Sequence, residues 1–522
     1  MSQDTIVVGG GHNGLVAAAY LAKAGREVLV LERRDTLGGA AATEELFPGF
    51  RANTGAQDAG LFLPRIVDDL KLASHGLELI ESSAAVCALQ PGGGALTLWR
   101  DVSRSHGEIA HWSEGDATRF PEFVRYMSRM AGALRGIVAL APPAPHDVSA
   151  RDLITWLRPA LRLKGMGRRD MMEFLRILPM SARELLDDWF ESDALKGALG
   201  SSAVIGSMQG PMASGTAFRL LYHYLGNENG GFRSSAFVRG GIGSLSEALA
   251  AGARAYGAEI RTGAEVQAIL VDDDRVTGVR LVGGEELTAR QVISGVDPRR
   301  TFFGLVGAPR LGPEFNRKVT NIRYRGTTAA LHLALDGLPA LPSAQGTEGI
   351  SGHIVICPGL PYLERAYDDA KYGRFSVRPT LDMVIPTLLD PDLAPEGRHT
   401  MSITMQYAPY HLRDATWDKQ RGALADAILG LLDEYIPDLR HRILHQHLIT
   451  PLDWEQEYGL TDGGTYHGQM DLDQLLFMRP VPGWGRYRTP VDNLYLCGSG
   501  THPGGGVTGA PGFHAAREVL RG

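Results

Sequence analysis

Six residues near the start, Gly9-Gly10-Gly11-His12-Asn13-Gly14, constrain this chain more than any others. Before them runs Thr5-Ile6-Val7-Val8, β-branched and apolar, as expected of a strand buried on both faces. After them, Leu15 to Ala22 read as a helix that Gly25 stops. A second apolar strand, Val28 to Leu31, ends on Glu32. The G-x-G-x-x-G of Gly9, Gly11 and Gly14 therefore stands in the strand, turn, helix, strand, acid context of a dinucleotide-binding unit. Gly9 permits the tight turn, Gly11 lets the backbone approach a pyrophosphate, and Gly14 lets helix and strand pack closely. The helix N-terminus, with His12 and Asn13, presents its N–H groups to the phosphates. Glu32 follows Gly14 by 18 residues, where a carboxylate accepts both hydroxyls of an adenosine ribose.

After Glu32 comes Arg33-Arg34-Asp35-Thr36-Leu37-Gly38-Gly39-Ala40-Ala41-Ala42-Thr43. This resembles the E-x5-G-G-R-x-x-T signature of two-dinucleotide-binding-domain flavoproteins such as amine oxidases and carotenoid desaturases. The resemblance implies FAD rather than NAD. One position departs from it: the family's arginine after the second glycine is Ala40 here. Backbone N–H groups of Gly38, Gly39, Ala40 and Ala41, or the side chains of Arg33 and Arg34, then have to meet the pyrophosphate.

The carboxyl end mirrors the start. A strand, Asn493 to Gly498, leads into Ser499-Gly500-Thr501-His502-Pro503-Gly504-Gly505-Gly506-Val507-Thr508-Gly509-Ala510-Pro511-Gly512, and Phe513 to Leu520 read as a closing helix. Such a loop offers bare N–H groups to oxygen atoms of a cofactor. The stretch resembles the G-x-G-T-H-P-G-x-G-x-P-G pattern of phytoene desaturases and carotenoid isomerases, with Thr508 where that pattern has proline. By that resemblance Gly498, Ser499, Gly505, Gly506, Val507 and Thr508 belong to the FAD site, and His502 lies near the isoalloxazine. A protonated His502 there would favour the reduced flavin anion, which makes it the candidate catalytic group; the alternative is a histidine that caps the glycine loop.

Between the two ends, Phe237 to Leu245 carry the glycine turn Gly240-Gly241-Ile242-Gly243 ahead of a helix, Ser246 to Tyr256. A strand, Glu259 to Thr262, and a meander of Val266 to Val271, Val276 to Val282 and Leu287 to Ser294 follow. In the class this chain resembles, the segment returns to the FAD domain and the backbone at Val266 touches the adenine. The expected fold is α/β: a discontinuous Rossmann-like FAD domain over 1–75, 235–300 and 490–522. A substrate domain of mixed sheet and helical cap is expected over 76–234 and 301–489. The cap helices are expected at Phe120 to Leu140, Ala150 to Leu163, Arg169 to Leu178 and Ala182 to Phe190. Strands are expected at Thr327 to Leu335, Leu381 to Ile385 and His399 to Gln406, with a helix at Thr416 to Tyr435.

Composition narrows the function. Lys and Arg number 52 against 59 Asp and Glu, a net charge of −7, which argues against a nucleic-acid partner. Cys87, Cys357 and Cys497 form no C-x-x-C, and no second G-x-G-x-x-G stands in strand–helix context. Both absences disfavour a pyridine-nucleotide disulphide reductase. Cys497 adjoins the glycine loop and reads as a buried strand cysteine. His441, His445 and His447 share a stretch expected to be helical, read as a solvated face rather than a metal site; no metal is expected. No run of about 18 apolar residues appears, and the strand at Thr5 leaves no room for a leader, so a cytoplasmic protein is expected. Residues 151–176 carry seven basic side chains against three acidic ones, interleaved with Trp156, Met166, Met171 and Met172. That stretch reads either as a cap helix with a solvated basic face or as a peripheral contact to an anionic membrane.

The expected activity, by resemblance to phytoene desaturases, is hydride removal from a largely apolar substrate onto flavin N5. The electrons would pass on to oxygen or a quinone. A reduced-flavin isomerase, an amine oxidase and a non-catalytic escort protein like the Rab GDP-dissociation inhibitors share the fold and stay open. Oligomeric state is not encoded in any motif. Tyr407, Tyr410, His332 and Tyr466 are acid–base candidates by residue type alone.

Overall fold

The structure is a computed structural model that describes residues 3–142, 156–157, 161, 163–226, 232, 235–341 and 345–521. Two seven-stranded sheets organise it. The first begins at Gln3–Val8, which pairs in parallel with Val28–Leu31 on one side and Glu286–Ser294 on the other. Glu259–Arg261 extends the Val28–Leu31 edge, and Leu494–Leu496 lies parallel to Glu286–Ser294. Strands from the start, middle and end of the chain thus share one sheet. All four residues of Val28–Leu31 are buried, as a sheet covered on both faces demands. Val266–Asp272, Arg275–Leu281 and Glu286–Ser294 form the antiparallel meander expected from their turn residues.

Helices pack on that sheet. His12–Lys23 begins three residues earlier than the apolar pattern implies, because the glycine turn itself supplies the first helical residues. It buries Leu15, Val16 and Leu21 completely, each worth about 1.5–3 kcal/mol. Gly243–Ala255 and Ala510–Val519 lie against it in one core. The glycine turn at 240–243 serves structure. A Cβ on Gly241 would meet Thr43 Oγ1 at 2.4 Å, and the turn lines neither cavity of the site.

The second sheet runs in the order Ile443–Ile449, Thr328–Leu335, His399–Gln406, Thr380–Val384, His353–Ile356, Ala84–Gln90, Gly94–Trp99. Trp417–Tyr435 covers one face. Helices Glu114–Val138, Gly167–Ile177, Ala182–Trp189, Asp193–Gly200 and Thr216–Tyr222 gather in a core with its other face. Glu114–Val138 starts before the expected Phe120 because Ser113 caps it, accepting the Asp116 N–H. Most of the expected helix over Ala150 to Leu163, with Arg151, Arg158 and Arg162 of the basic run, falls outside the described residues, whereas 163–176 are described. Within that run, Leu157, Leu161, Met172 and Leu175 are exposed, whereas Phe174 is buried.

One element differs in type. His445 and His447 lie on a strand, Ile443–Ile449, not on a helix. Antiparallel pairing with Thr328–Leu335 overrides the local pattern and puts His447 opposite His332. Among the described residues no group of three His, Cys, Asp or Glu side chains is arranged to hold a metal.

Candidate active site

Two adjoining cavities lie between the sheets. The first, about 160 Å³, is lined by Gly9, Gly11, His12, Asn13, Gly14, Glu32, Arg33, Gly38, Gly39, Ala40, Val266, Gly498 and Ser499. Three stretches far apart in sequence thus converge on one cleft. Gly9 has φ +99°, left-handed backbone that turns the strand into the helix. Gly11 forms a parallel bridge to Gly38, and a Cβ on Gly11 would find nothing nearer than the Gly38 oxygen, 3.9 Å away. Between these glycines the backbone is bare.

The donors and acceptors of this cleft fit FAD. Glu32 Oε2 accepts the Gly10 N–H at 2.7 Å and Oε1 the Arg34 N–H at 2.9 Å, which fixes the carboxylate at the strand end with lone pairs to spare. His12 Nε2 and Asn13 Oδ1 are buried without a partner, polar atoms that a bound ligand would satisfy. Burial, and then the neighbouring His467, hold the His12 imidazole down to about 4, so it is neutral at pH 7.

At the position of the missing arginine the structure has a short apolar side chain. Ala40 packs against the small cluster of Ala330, Ile449, Trp454 and Leu460 and lines both cavities, so no side-chain charge reaches the cleft from this position. Of the expected substitutes, Arg34 is committed elsewhere: it pairs with Glu44 at 2.8 Å and stacks on Tyr458. Arg33 lines the cleft but donates to the carbonyls of Gln456 and Glu457. Arg300, which no motif marked, also lines the cleft.

The second cavity, about 240 Å³, shares His12, Ala40, Thr465 and Ser499 with the first. Ala41, Gly505, Gly506 and Val507 form its cofactor-side wall, and Leu61, Ile205, Ala329, Ala330, Trp454, Tyr466 and Met470 give it an apolar lining. Thr508 lines neither cavity; its Oγ1 accepts the Ala510 N–H at the start of the closing helix.

His502, expected near the isoalloxazine, is set back from both cavities. It lines neither cavity, is completely buried, and its ring centroid is 6.1 Å from that of His514. Burial holds its imidazole down to about 4, the opposite of the protonated ring expected. The loop turns its side chain inward, towards backbone carbonyls around Val138, and away from the cavities. Of the acid–base candidates only Tyr466 lines the larger cavity. His332 is buried between Ser402 and the Thr54 carbonyl, Tyr407 donates to Gln209 O at 2.8 Å, and Tyr410 bonds Glu455. Cys497 is fully buried, its thiol raised to about 12 by burial.

Sequence reasoning missed one constellation. In the wall of the larger cavity His353 bridges two carboxylates, Nδ1 to Asp382 Oδ1 at 2.7 Å and Nε2 to Asp58 Oδ2 at 3.3 Å. His353 and Asp382 sit on paired strands, but Asp58 comes from a loop 295 residues away. No local pattern could have joined them.

A dinucleotide cleft beside a mostly apolar chamber that holds an imidazole between carboxylates suits a cofactor-dependent oxidoreductase. The chain belongs to the flavin-containing amine oxidoreductase family, whose model matches residues 14–520. It is 38% identical over 99% of its length to pyridine nucleotide-disulfide oxidoreductase domain-containing protein 2 of Rattus norvegicus, of which it covers 93%. It is 26% identical to a limonene dehydrogenase chain of Castellaniella defragrans, over 99% of this chain and 94% of that one. Phytoene desaturase (lycopene-forming) of a Paracoccus species is 24% identical over 98% and 95%. A putrescine oxidase variant shares the fold with TM-score 0.61 at 18% identity, covering 100% of this chain and 99% of that one. The protein is an FAD-dependent oxidoreductase of this family, which is broader than the desaturase branch its C-terminal pattern resembles.

Proposed function

We propose that the protein dehydrogenates a largely apolar small molecule held in the larger cavity. The observation that carries this reading is that the two cavities share His12, Ala40, Thr465 and Ser499 in their walls. That seam lets a cofactor in the glycine cleft present one end to a substrate among Leu61, Ile205, Ala329, Ala330 and Met470. Relatives named for limonene and phytoene, both hydrocarbons, support an apolar substrate. Bound FAD supplies the hydride acceptor.

This chain's residues do the rest. The apolar walls orient the substrate and exclude water. Dehydrogenation also releases a proton, and the Asp58–His353–Asp382 chain is the group in the cavity built to hold it. Asp382 fixes the imidazole through Nδ1, which leaves Nε2 and Asp58 to take the proton. The electrons leave to oxygen or a quinone.

Anaerobic mixing of the yellow, FAD-loaded protein with limonene and with longer hydrocarbons tests the reading. Bleaching near 450 nm by at least one of them is the expected result. A flavin that stays oxidised with every hydrocarbon, yet is bleached by a primary amine, would replace this reading with amine oxidation. A protein that binds no FAD would remove both.

A further inference from the structure

Arg219 is the residue of the larger cavity whose chemistry the apolar reading leaves unused. It sits on the helix Thr216–Tyr222, all seven residues of which are buried, and is itself only 3% exposed. Its guanidinium donates through Nε to Ala203 O at 2.9 Å and through Nη2 to Ile205 O, and it lies over the Tyr466 ring, 5.5 Å from the centroid. Nη1 is buried and has no partner. Among the described residues no carboxylate forms an ion pair with it.

A buried guanidinium without a counter-ion is costly, because transfer of an unpaired charge out of water costs several kcal/mol. Two carbonyls relieve the donors but not the charge. A second buried guanidinium, Arg479, repeats the pattern close by. It spends Nη2 on the carbonyls of Tyr466, His467 and Gly468, and its Nη1 is also unpartnered. The positive field at this end of the chamber is therefore not an accident of one rotamer. The acids of the chamber, Asp58 and Asp382, pair with His353 instead.

We propose that Arg219 is the anchor for an oxyanion on the substrate, so that the enzyme's substrates are lipophilic carboxylates with their apolar body along Leu61, Ile205, Ala329 and Ala330. Arginine suits the task because its planar fork pairs with a carboxylate through parallel N–H donors. The carboxylate end would be held at Nη1, and the carboxylates gathered around His353 disfavour an anion beside them. The substrate thereby enters in one direction only, which fixes the C–H bond that meets the cofactor. The inference rests on the dehydrogenase reading and narrows its substrate class.

Octanoate and 1-octanol serve as matched probes, since they share a chain and differ in charge. Each is titrated into the FAD-loaded protein while the visible flavin spectrum is followed, with FAD content checked in every variant. Wild type should bind octanoate at least tenfold tighter than octanol. Arg219→Gln, which keeps a neutral amide donor but removes the charge, should abolish that preference, and Arg219→Lys should keep part of it. The wild-type comparison stands even if a variant fails to fold. Equal affinity for both probes, no spectral change with either, or unaltered octanoate preference in Arg219→Gln would each overturn the proposal. So would equal weakening of both probes in Arg219→Gln, since a residue that merely shapes the wall acts on chain and head alike. Octanoate preference without bleaching by any hydrocarbon or any lipophilic carboxylate would instead sink the dehydrogenase reading and leave the oxyanion site standing.

Discussion

Gly14 stands so close to Gly9 that a Cβ on it would lie 2.2 Å from the Gly9 carbonyl oxygen. Helix and first strand meet at that contact with no room for a methyl group. Gly14→Ala should therefore force the helix off the sheet, destabilising the protein by about 1–3 kcal/mol and costing it FAD. Gly11→Ala should behave differently, because its added Cβ meets nothing nearer than 3.9 Å. The apoprotein should keep its melting temperature while its affinity for FAD falls. Calorimetry of the apoproteins beside FAD titrations separates the two. Equal melting temperatures for Gly14→Ala and wild type would refute the packing argument.

Glu32 holds the glycine turn and faces the cleft at once, through its bonds from Gly10 and Arg34. Glu32→Ala should lower both stability and FAD affinity, since two backbone donors lose a charged acceptor at about 1.5–3 kcal/mol each. Glu32→Gln keeps one carbonyl acceptor and should lose less of both. Thermal melts and FAD titration check the order wild type, Gln, Ala.

Much of this cofactor site was legible in the sequence because backbone geometry encodes it. A turn that must admit a dinucleotide needs glycine at fixed spacing, and the residues that line the cleft from Gly9 to Ala40 follow from that need. The segments at 259–294 and 494–496 were legible for a related reason: short apolar strands bounded by turn residues read the same wherever they pair. The chamber was not legible. Asp58, His353 and Asp382 meet only because a distant loop is brought against two paired strands, and Arg219 reads as one more cap-helix arginine until its burial is known. The orientation and charge of His502 were not legible for the opposite reason. The loop sequence marks the segment, but which way one ring turns depends on packing against Val138 and His514.

That inward-facing histidine belongs to a group that makes stability depend on pH. Burial holds His12, His332 and His502 down to about 4 and His514 to about 3, against 6.5 in the unfolded chain. Below pH 6.5 the unfolded state binds protons that the folded state refuses. Stability should thus be full above pH 6.5 and fall steadily as the pH drops towards 4. Melting curves from pH 8 to pH 4 test this, and a flat profile across pH 6.5–4.5 would contradict it. His502→Phe should flatten the slope while leaving the flavin spectrum and potential unchanged, because the ring lines neither cavity.

The Asp58–His353–Asp382 chain makes the last prediction. Asp382 holds His353 by the shorter contact, 2.7 Å, and Asp58 meets the other ring nitrogen at 3.3 Å. If the chain accepts the substrate's proton, Asp58→Asn should slow anaerobic bleaching by about 100-fold, a typical contribution of a positioned base. Asp382→Asn should slow it less, since that residue acts through the imidazole it orients. In wild type the rate should fall at acid pH, where the chain is already protonated and cannot take another proton. Asp58→Asn should lose that acid limb and keep a residual, pH-independent rate. FAD content and the visible spectrum should be the same in all three proteins, because none of these side chains lines the glycine cleft. Rapid-mixing spectroscopy across pH 5–9 measures every arm. An acid limb that persists in Asp58→Asn would assign the proton to another group in the chamber, of which Tyr466 is the nearest candidate by chemistry.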